Sequence, residues 1–518
     1  MLKRIVLIFV AVIISLMVLL MIVLNSSYAQ EKIIGLVTDA ISKELNTELK
    51  IEHVGINLLG QRASFYDVSL KDQQRRDMLR IGEVWVNVKI LPLLRGKVVL
   101  KELKVSDVDM LLIKPEDGPA NYQFLTDALN TGKPKPARKK KDNSLLQDMK
   151  HAEATSVHVR YNDDEATLDK AVYDFWRSKH TLTLHHLQAN QTKPTKKDTI
   201  DWHFDTGIVT ATMTAGGKKH IDIKSMTVSS DNHKPRRNVV KPKRGAFDIG
   251  HMNLTADMGI DILHYGKDTL SVAIIRGCAK DTLSGIDLTD LRAGVTYGGR
   301  HLRFTDAVVQ QITTRLDIPV ADFTLPDRKD GSSLRYKADS IKAHVMLKDI
   351  SKAFAPVLKH FSLPLNLRVN LSGTTTGMLF KGIHVNTDDK KFTVNATGIL
   401  SNLDKGRELN LHFDVHDMVA KPGIKDKIIN QFTVKKYMMY QLYALGLVKY
   451  RGDFDILWHK EKFRGKLETE KGDIEFSFQL DENTHYVTGR ASTDSLKLGE
   501  LFQLKRLGKI NCTATFNI

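Results

Sequence analysis

The chain has 518 residues, with 77 Lys and Arg against 60 Asp and Glu, a formal net charge of +17. Its 42% apolar and 26% charged residues are typical of a folded chain and exclude a mainly disordered protein. Two cysteines, Cys278 and Cys512, cannot build a disulfide framework or a cysteine metal cluster. The positive surplus suits an anionic partner, either nucleic acid or lipid headgroups.

A membrane anchor is predicted near the N-terminus. A run of twenty residues begins at Ile5 and ends at Leu24, and only Ser15 within it is not apolar. As a helix it would reach about 30 Å, the thickness of a bilayer's hydrocarbon core. Lys3 and Arg4 precede the run. The positive-inside rule therefore predicts a cytoplasmic N-terminus with the remainder across the membrane.

The alternative to an anchor is a cleaved signal peptide. Residues 27–29 (SYA) offer a small-x-small cleavage site. The apolar run is longer than the usual apolar region of a signal, which favours a retained anchor. Both interpretations export the remaining chain, so nucleic acid is not expected as a partner despite the positive charge.

Strict apolar–polar alternation predicts antiparallel strands with one apolar and one wet face. Three runs are the clearest, and their apolar residues are Leu365, Leu367, Val369 and Leu371; Leu409, Leu411, Phe413 and Val415; and Ile474, Phe476, Phe478 and Leu480. A fourth run, 510–518, places Cys512 on its apolar face as a small buried hydrophobe. Continuous apolar strands with crossover helices, the pattern of a parallel α/β fold, are not apparent.

Helical spacing is confined to a few segments. Residues 31–46 predict a helix that packs on the first strands. Four further amphipathic helices are predicted over 120–129, 349–361 (bent at Pro356), 425–445 and 495–507. Two basic, proline-containing stretches, 132–144 and 231–245, are typical of solvated linkers. Further chain boundaries are expected near 238 and 330.

No catalytic constellation is found. Phosphate-binding loops, HExxH and GxSxG motifs are missing from the sequence. Asp205-Thr206-Gly207 matches the short signature of aspartic proteases, but a single copy would need a dimer, and a turn after a strand is favoured. His412 and His416 fall on the polar face of a strand and are expected to be solvated rather than to bind metal. We therefore expect no enzyme activity, no metal and no cofactor.

Residues 50–114 resemble a known family module. A strand is followed by DVSL at 67–70, IGEVWVNV at 81–88 and PLLRGK at 92–97. This layout is similar to the N-terminal portion of the TamB/AsmA-like family. Residues 121–125 (NYQFL) resemble the segment before the family's first linker, especially in Bacteroides-type versions, and residues 496–510 resemble a recurring family element.

The resemblance implies a mainly β fold: a transmembrane helix followed by an elongated, curved antiparallel sheet, or β-groove, with a few inserted amphipathic helices. It implies an anchor over 1–30, a helix-plus-strands module over 31–130, a basic linker over 131–145 and groove segments over 146–330 and 331–518. Family members are longer, so a truncated or split member, or another chain that continues the sheet at Ile518, is expected.

The implied function is lipid transport between the inner and outer membranes of a Gram-negative envelope, or support of outer-membrane assembly. The alternating apolar residues would line a path for phospholipid acyl chains, because each CH₂ in water is unfavourable by about 0.8 kcal/mol. The same alternation would equally build a closed β-sandwich. A second hypothesis is therefore an anchored periplasmic scaffold that binds an envelope protein by strand addition at the Ile518 edge.

Overall fold

The computed structural model describes residues 26–517 except 58–59, 89–99, 116–117, 131–148, 163, 195–198, 241–244, 267, 328–332, 404, 406–407, 432–438, 458–459, 482 and 485. The chain forms two compact units, one up to residue 233 with 255–257, the other 234–254 with 258–518. The run from Ile5 to Leu24, the linker over 131–145, the boundary near 330 and Ile518 all fall outside the described residues. Among the helices that are described, none has the length and apolar character needed to cross a bilayer.

In its described residues the first unit is a sheet with two helices. Its elements are α1 (Ser27–Leu45), β1 (Leu49–Lys50), β2 (His53–Asn57), β3 (Arg62–Lys71), β4 (Asp77–Val88), β5 (Leu100–Leu112), α2 (Gln123–Asn130), β6 (His151–Tyr161), β7 (Asp164–Trp176), β8 (Lys179–Pro194), β9 (Thr199–Asp205), β10 (Ile208–Thr214) and β11 (Lys219–Asp231). The predicted helix over 31–46 is present as α1, and it packs on β1 and β2 as expected.

One strand pair departs from the antiparallel prediction. Strands β3 to β8 are consecutive neighbours, but β5 and β6 run parallel, with Val105 opposite Ala154. The connection of 38 residues from Ile113 to Lys150 holds α2 and is long enough to carry the chain back across the sheet. Beyond β8 the next two strands share its outer edge, β9 and β10 each pairing with both β8 and β11.

The second unit is a longer sheet with several short helices. Its elements are α3 (Arg237–Val240), a 3₁₀ helix (Ile249–His251), β12 (Asn253–Tyr265), β13 (Thr269–Asp281), β14 (Ile286–Gly298), β15 (His301–Gln311), β16 (Thr314–Thr324), β17 (Arg335–Met346), α4 (Leu347–Phe354), a second 3₁₀ helix (Pro356–His360), β18 (Pro364–Thr374), β19 (Gly377–Asn386), β20 (Phe392–Ser401), β21 (Asn410–Ala420), α5 (Ile424–Gln431), α6 (Met439–Ala444), β22 (Val448–Leu457), β23 (Lys460–Thr469), β24 (Ile474–Asp481), β25 (Tyr486–Lys497), α7 (Leu498–Phe502) and β26 (Lys509–Asn517).

From β13 to β26 each strand pairs antiparallel with the next one along the chain. The chain direction reverses at every turn. All connections that follow odd-numbered strands therefore lie on the same side of the sheet, an edge formed by strand ends rather than by an outer strand. The helical insertions follow β17, β21 and β25, so α4, α5–α6 and α7 share that edge. The opposite edge carries the turns that follow even-numbered strands.

The helix predictions hold in existence and differ in extent. The segment predicted over 349–361 breaks at Pro356 as expected, into α4 and the second 3₁₀ helix. The segment predicted over 425–445 contains α5 and α6, with 432–438 outside the described residues. The segment predicted over 495–507 is wrong in length, because β25 extends to Lys497 and only Leu498–Phe502 is helical.

Two close contacts between rings and glycines shape the second sheet. Gly398 lies opposite Phe413, and a Cβ built at Gly398 would stand 2.4 Å from the Phe413 ring. Gly489 lies opposite Phe478 in the same way, with a Cβ 2.5 Å from the Phe478 Cβ. At Gly398 the absence of a side chain leaves room for the Phe413 ring, and at Gly489 it leaves room for the Cβ and backbone of Phe478.

Replacement of Gly398 with alanine is expected to destabilise the protein by about 1–3 kcal/mol, because the new methyl group overlaps the Phe413 ring. That ring is held between Phe380 and Phe454 and has little room to move. The measurement is the urea midpoint followed by circular dichroism. Gly508→Ala is the control, since no heavy atom lies within 4 Å of a Cβ there. An equal midpoint for both variants would contradict the close contact.

Candidate functional site: an apolar sheet face

The candidate site is one face of the second sheet, called here the apolar face. Strand register aligns apolar and small residues directly across fourteen strands. One such row runs from β13 to β26 and consists of Val272, Val295, Phe304, Ala321, Ala338, Leu371, Phe380, Gly398, Phe413, Phe454, Phe463, Phe478, Gly489 and Phe516. At about 4.8 Å per strand, the row is about 60 Å long.

The three predicted apolar runs lie on this one face. Leu371, Phe413 and Phe478 share the row just described. The parallel row beside it brings Val369, Val415 and Phe476 into line. The runs belong to β18, β21 and β24 and are therefore three strands apart rather than adjacent. Of the remaining predicted residues, Leu365 and Leu367 lie on β18, Leu411 on β21, and Ile474 and Leu480 on β24, whereas Leu409 precedes β21 and is outside the strand.

Aromatic rings concentrate between β19 and β24. Ring centroids are 5.9 Å apart for Phe380–Phe413, 5.2 Å for Phe413–Phe454, 6.0 Å for Phe454–Phe463 and 5.0 Å for Phe463–Phe478. Each spacing falls in the range of favourable ring contacts, which add about 0.5–1.5 kcal/mol per pair beyond area burial. The rings thus support each other from strand to strand.

The apolar face is only half covered. Phe380 and the four rings that follow it in the row are half-buried, while a sandwich core would bury such rings fully. The buried cluster of this unit, Ala321, Ala338, Ile341 and Val369, is packed by side chains of the same five adjacent strands, β15 to β19. The covering of the face therefore comes from its own strands, and the rings stay accessible.

Two tyrosines on this face have raised pKa values. Burial raises the pKa of Tyr450 to about 12, with a smaller effect from Asp453. Burial also raises the pKa of Tyr336. Tyr450 stacks on Phe476 at 6.0 Å, and its hydroxyl donates to the Arg464 carbonyl at 3.0 Å. Partial burial of the two hydroxyl groups disfavours the charged phenolate.

The opposite face is polar and charged. Oppositely charged residues stand directly across from each other, such as Arg464 and Asp453 at 2.7 Å and Lys280 and Asp287 at 3.0 Å. Such pairs each add little in water, about 0–1 kcal/mol. These charged pairs keep this face of the sheet well solvated, whereas the other face is apolar.

His412 belongs to a compact group on the polar face. Its Nδ1 lies 2.8 Å from Asp455 Oδ1, and Asp453 is close enough for the three side chains to surround one ion. Both carboxylates already have partners, Asp455 in His412 and Asp453 in Arg464. The other predicted polar-face histidine, His416, contacts the Thr397 hydroxyl at 3.1 Å. Both histidines are thus engaged in neighbouring side-chain contacts.

The Asp205-Thr206-Gly207 motif lies at the break between β9 and β10, which follow each other in the same direction between β8 and β11. Asp205 accepts the backbone N–H of Gly207 at 2.7 Å and contacts His186 Nδ1 at 3.0 Å. The pKa of Asp205 is lowered: burial opposes the shift, and hydrogen bonds from His186, Gly207 and Gln188 outweigh it. The carboxylate stabilises this interruption of the strand, so the predicted turn after a strand is wrong.

The sequence analysis missed part of the apolar face. Phe454 and Phe463 were not selected, because glycines and charged residues interrupt their strands. Their signal was the period of two in Tyr450, Gly452 and Phe454, once glycine is counted as a face position. Cys512 lies on the predicted face but is exposed rather than buried, since among the described strands β26 has β25 as its single neighbour.

The first unit has a comparable apolar row that the sequence analysis also missed. It crosses nine strands through Val54, Phe65, Val84, Val105, Ala154, Ala171, Leu184, Val209 and Ile223. Its strands are short or interrupted by alanine and histidine, which weakens the alternation in the sequence. One face of each unit is therefore apolar across its strands.

A match to a protein-family model identifies the family of this chain. The model of the AsmA family matches residues 1–292, more than half of the sequence. The chain belongs to the AsmA family. No curated protein matches it. In this AsmA-family chain the matched residues cover the first unit and the start of the second. The aromatic strands β19 to β24 lie beyond the matched residues.

The His412–Asp455 contact is expected to make stability depend on pH. The Asp455 hydrogen bond raises the pKa of His412 above its usual 6.5. The folded state therefore holds this proton more tightly than the unfolded chain. That stabilisation is complete below pH 6.5 and is lost as pH rises through the folded pKa. Asp455→Asn should lower the urea midpoint more at pH 5.5 than at pH 9.

The matched control is His416→Gln, whose partner is the uncharged Thr397 hydroxyl. Its effect on the urea midpoint should be similar at the two pH values. An Asp455→Asn effect that is the same at pH 5.5 and pH 9 would show that the ion pair contributes nothing measurable.

Proposed function

We propose that this AsmA-family protein is a TamB-like lipid carrier, held in the inner membrane by residues 5–24 with its bulk in the periplasm. Its apolar faces would carry phospholipid acyl chains between the inner and outer membranes. The observation that carries the proposal is the apolar row of fourteen strands, whose rings are not fully buried. Membership in the AsmA family is compatible with lipid transport or envelope assembly.

When an acyl chain binds to the apolar face, apolar surface area of both the chain and the face is removed from water. Each buried CH₂ of an acyl chain contributes about 0.8 kcal/mol, and the rings that it covers add their own area at about 25 cal/mol per Å². The headgroup stays in water at a sheet edge. The charged opposite face keeps the loaded sheet soluble, and no catalytic group is needed.

Photo-crosslinking tests direct contact between the face and lipid. A photoreactive phenylalanine analogue at position 478, on the apolar face, should yield phospholipid adducts in cells, detected by mass spectrometry. The analogue at position 477 is the control, because Ser477 is the next residue on the same strand and lies on the polar face between Arg464 and Arg490. The absence of lipid adducts at position 478, or equal adducts at positions 477 and 478, would contradict a lipid path.

A charge on the apolar face should block lipid without unfolding the chain. We expect Phe478→Glu to keep the circular dichroism spectrum and to remove lipid crosslinks from an analogue at position 413. Ser477→Glu should keep both, since its neighbours across the sheet are arginines. Unfolding of Phe478→Glu would instead indicate a packed core, because an unpaired buried charge is very costly.

A second candidate is a non-catalytic scaffold that binds an envelope protein, for example one of outer-membrane assembly, by strand addition. Strand β26 favours it, since seven of its nine residues are exposed and its described pairing is with β25. An analogue at Thr515 that captures one defined envelope protein, with no lipid on position 478, would favour the scaffold. Lipid on 478 would favour the carrier.

A further inference from the structure

The sheet edge that carries α4 to α7 differs in chemistry from the faces. We name as the helical rim α4, the 3₁₀ helix Pro356–His360, α5, α6, α7 and the loop 503–508. One hydrogen bond connects two neighbouring insertions, and another connects α4 to the segment before β12. The backbone N–H of Ser362 donates to the Gln431 side chain at 2.6 Å, and Ala246 N–H donates to the Lys352 carbonyl at 2.8 Å. Hydrogen bonds thus join α4 to the segment before β12 and the α4 insertion to α5.

The rim exposes large apolar side chains, of which Phe354 also contacts the Phe247 ring with centroids 5.6 Å apart. Phe502 is 44% exposed, Leu504 49% and Leu507 42%, all within six residues. Phe354 on α4 is 55% exposed, and Tyr440 on α6 is 49% exposed. On the same helices Ala353 and Leu501 are buried, so each helix already has a separate inward side.

The loop after α7 is folded rather than extended. Leu504 N–H donates to the Gly499 carbonyl at 2.9 Å, and Leu507 N–H donates to the Leu504 carbonyl at 3.0 Å. Gln503 caps the helix in the left-handed conformation, with φ 56°. These bonds fix the loop backbone while Leu504 and Leu507 on the loop, and Phe502 at the end of α7, remain exposed.

Cations accompany the exposed apolar groups. Lys505 and Arg506 are exposed between Leu504 and Leu507, and no ion pair joins them to another described residue. The acidic residue of α7, Glu500, already pairs with Lys471 and with Lys497 at 3.6 Å.

The α4 segment repeats this arrangement. It exposes Lys348, Lys352 and Lys359. Its one carboxylate, Asp349, is buried and accepts hydrogen bonds from Thr313 and Thr314. The outward charge of both segments is positive beside exposed apolar groups.

We infer that the helical rim docks on an anionic phospholipid surface. Apolar side chains flanked by lysine and arginine match the boundary between headgroups and acyl chains, where apolar groups enter and cations meet phosphate. Three rim insertions along one edge, each four strands from the next, give attachment at several points. Docking at the rim is independent of lipid transport. Docking is measured at position 504, whereas lipid on the apolar face is measured at position 478.

The test uses the full chain in phosphatidylcholine nanodiscs with Cys278→Ser and Cys512→Ser, since both native cysteines are exposed and would react. An environment-sensitive fluorophore is attached at Leu504→Cys. Protein-free vesicles with equal parts of phosphatidylglycerol and phosphatidylcholine are then added. We expect a blue shift at position 504 that vesicles of phosphatidylcholine alone do not produce. The same label at Thr375→Cys, in a turn at the opposite edge, should not shift.

Charge variants separate docking from non-specific adsorption. Lys505→Glu with Arg506→Glu should weaken the vesicle titration roughly tenfold or more, since each basic residue contributes to attraction by an anionic surface. Salt at 1 M should also abolish the shift, because the Debye length falls to about 3 Å. Arg335→Glu with Lys381→Glu removes two exposed cations elsewhere in the same unit and should leave the titration unchanged.

Three results would overturn the inference. They are no shift at position 504 with phosphatidylglycerol, an equal shift with phosphatidylcholine alone, or an unchanged titration for the Lys505 and Arg506 variant. Phe502→Ser, which alters an exposed side chain at little cost to folding, gives an independent check. It should weaken binding while the circular dichroism spectrum stays the same.

Discussion

The structure depends on register between neighbouring strands. Side chains alternate between faces with a period of two, so a slip of one residue would move a whole strand's apolar set to the wet face. In the second unit thirteen successive antiparallel pairings keep the apolar row aligned. The apolar face, the charged face and the single helical edge all follow from that alignment.

Bulges preserve the register where the sequence alternation breaks. In β19 the apolar residues Phe380 and Ile383 are three apart, yet their partners on β18, Leu371 and Val369, are two apart. The extra residue lets both β19 side chains face the same way, and Gly382 takes φ 102° there. Irregularities of the same kind separate Ala338 from Ile341, Val415 from Met418 and Thr493 from Leu496.

These bulges explain how much could be predicted from the sequence. The β18 run and the β24 run alternate without interruption, and their strands and faces were predicted correctly. The alignment of Leu371, Phe413 and Phe478 in one row could not be, because it depends on bulges and turn lengths in five intervening strands. The parallel β5–β6 pair could not be either, since the stretch before β6 contains no pattern that specifies the direction of return.

The apolar face is not uniform, and its variation bears on where a guest would lie. Around β16 to β18 the side chains Ala321, Ala338 and Val369 are small or branched and are buried by their neighbours. That part of the face is largely closed on itself. From β21 to β24 the row consists of phenyl rings that stay half-buried.

Beside the rings the parallel row contains two glycines, Gly452 and Gly465 on β22 and β23. The Tyr450 ring lies over them, since a Cβ built at Gly465 would stand 2.5 Å from it. The phenyl rings of the first row keep part of their surface uncovered by this sheet. A hydrocarbon guest would gain most from the β21–β24 part, because there it covers apolar area that the protein's own packing leaves in contact with water.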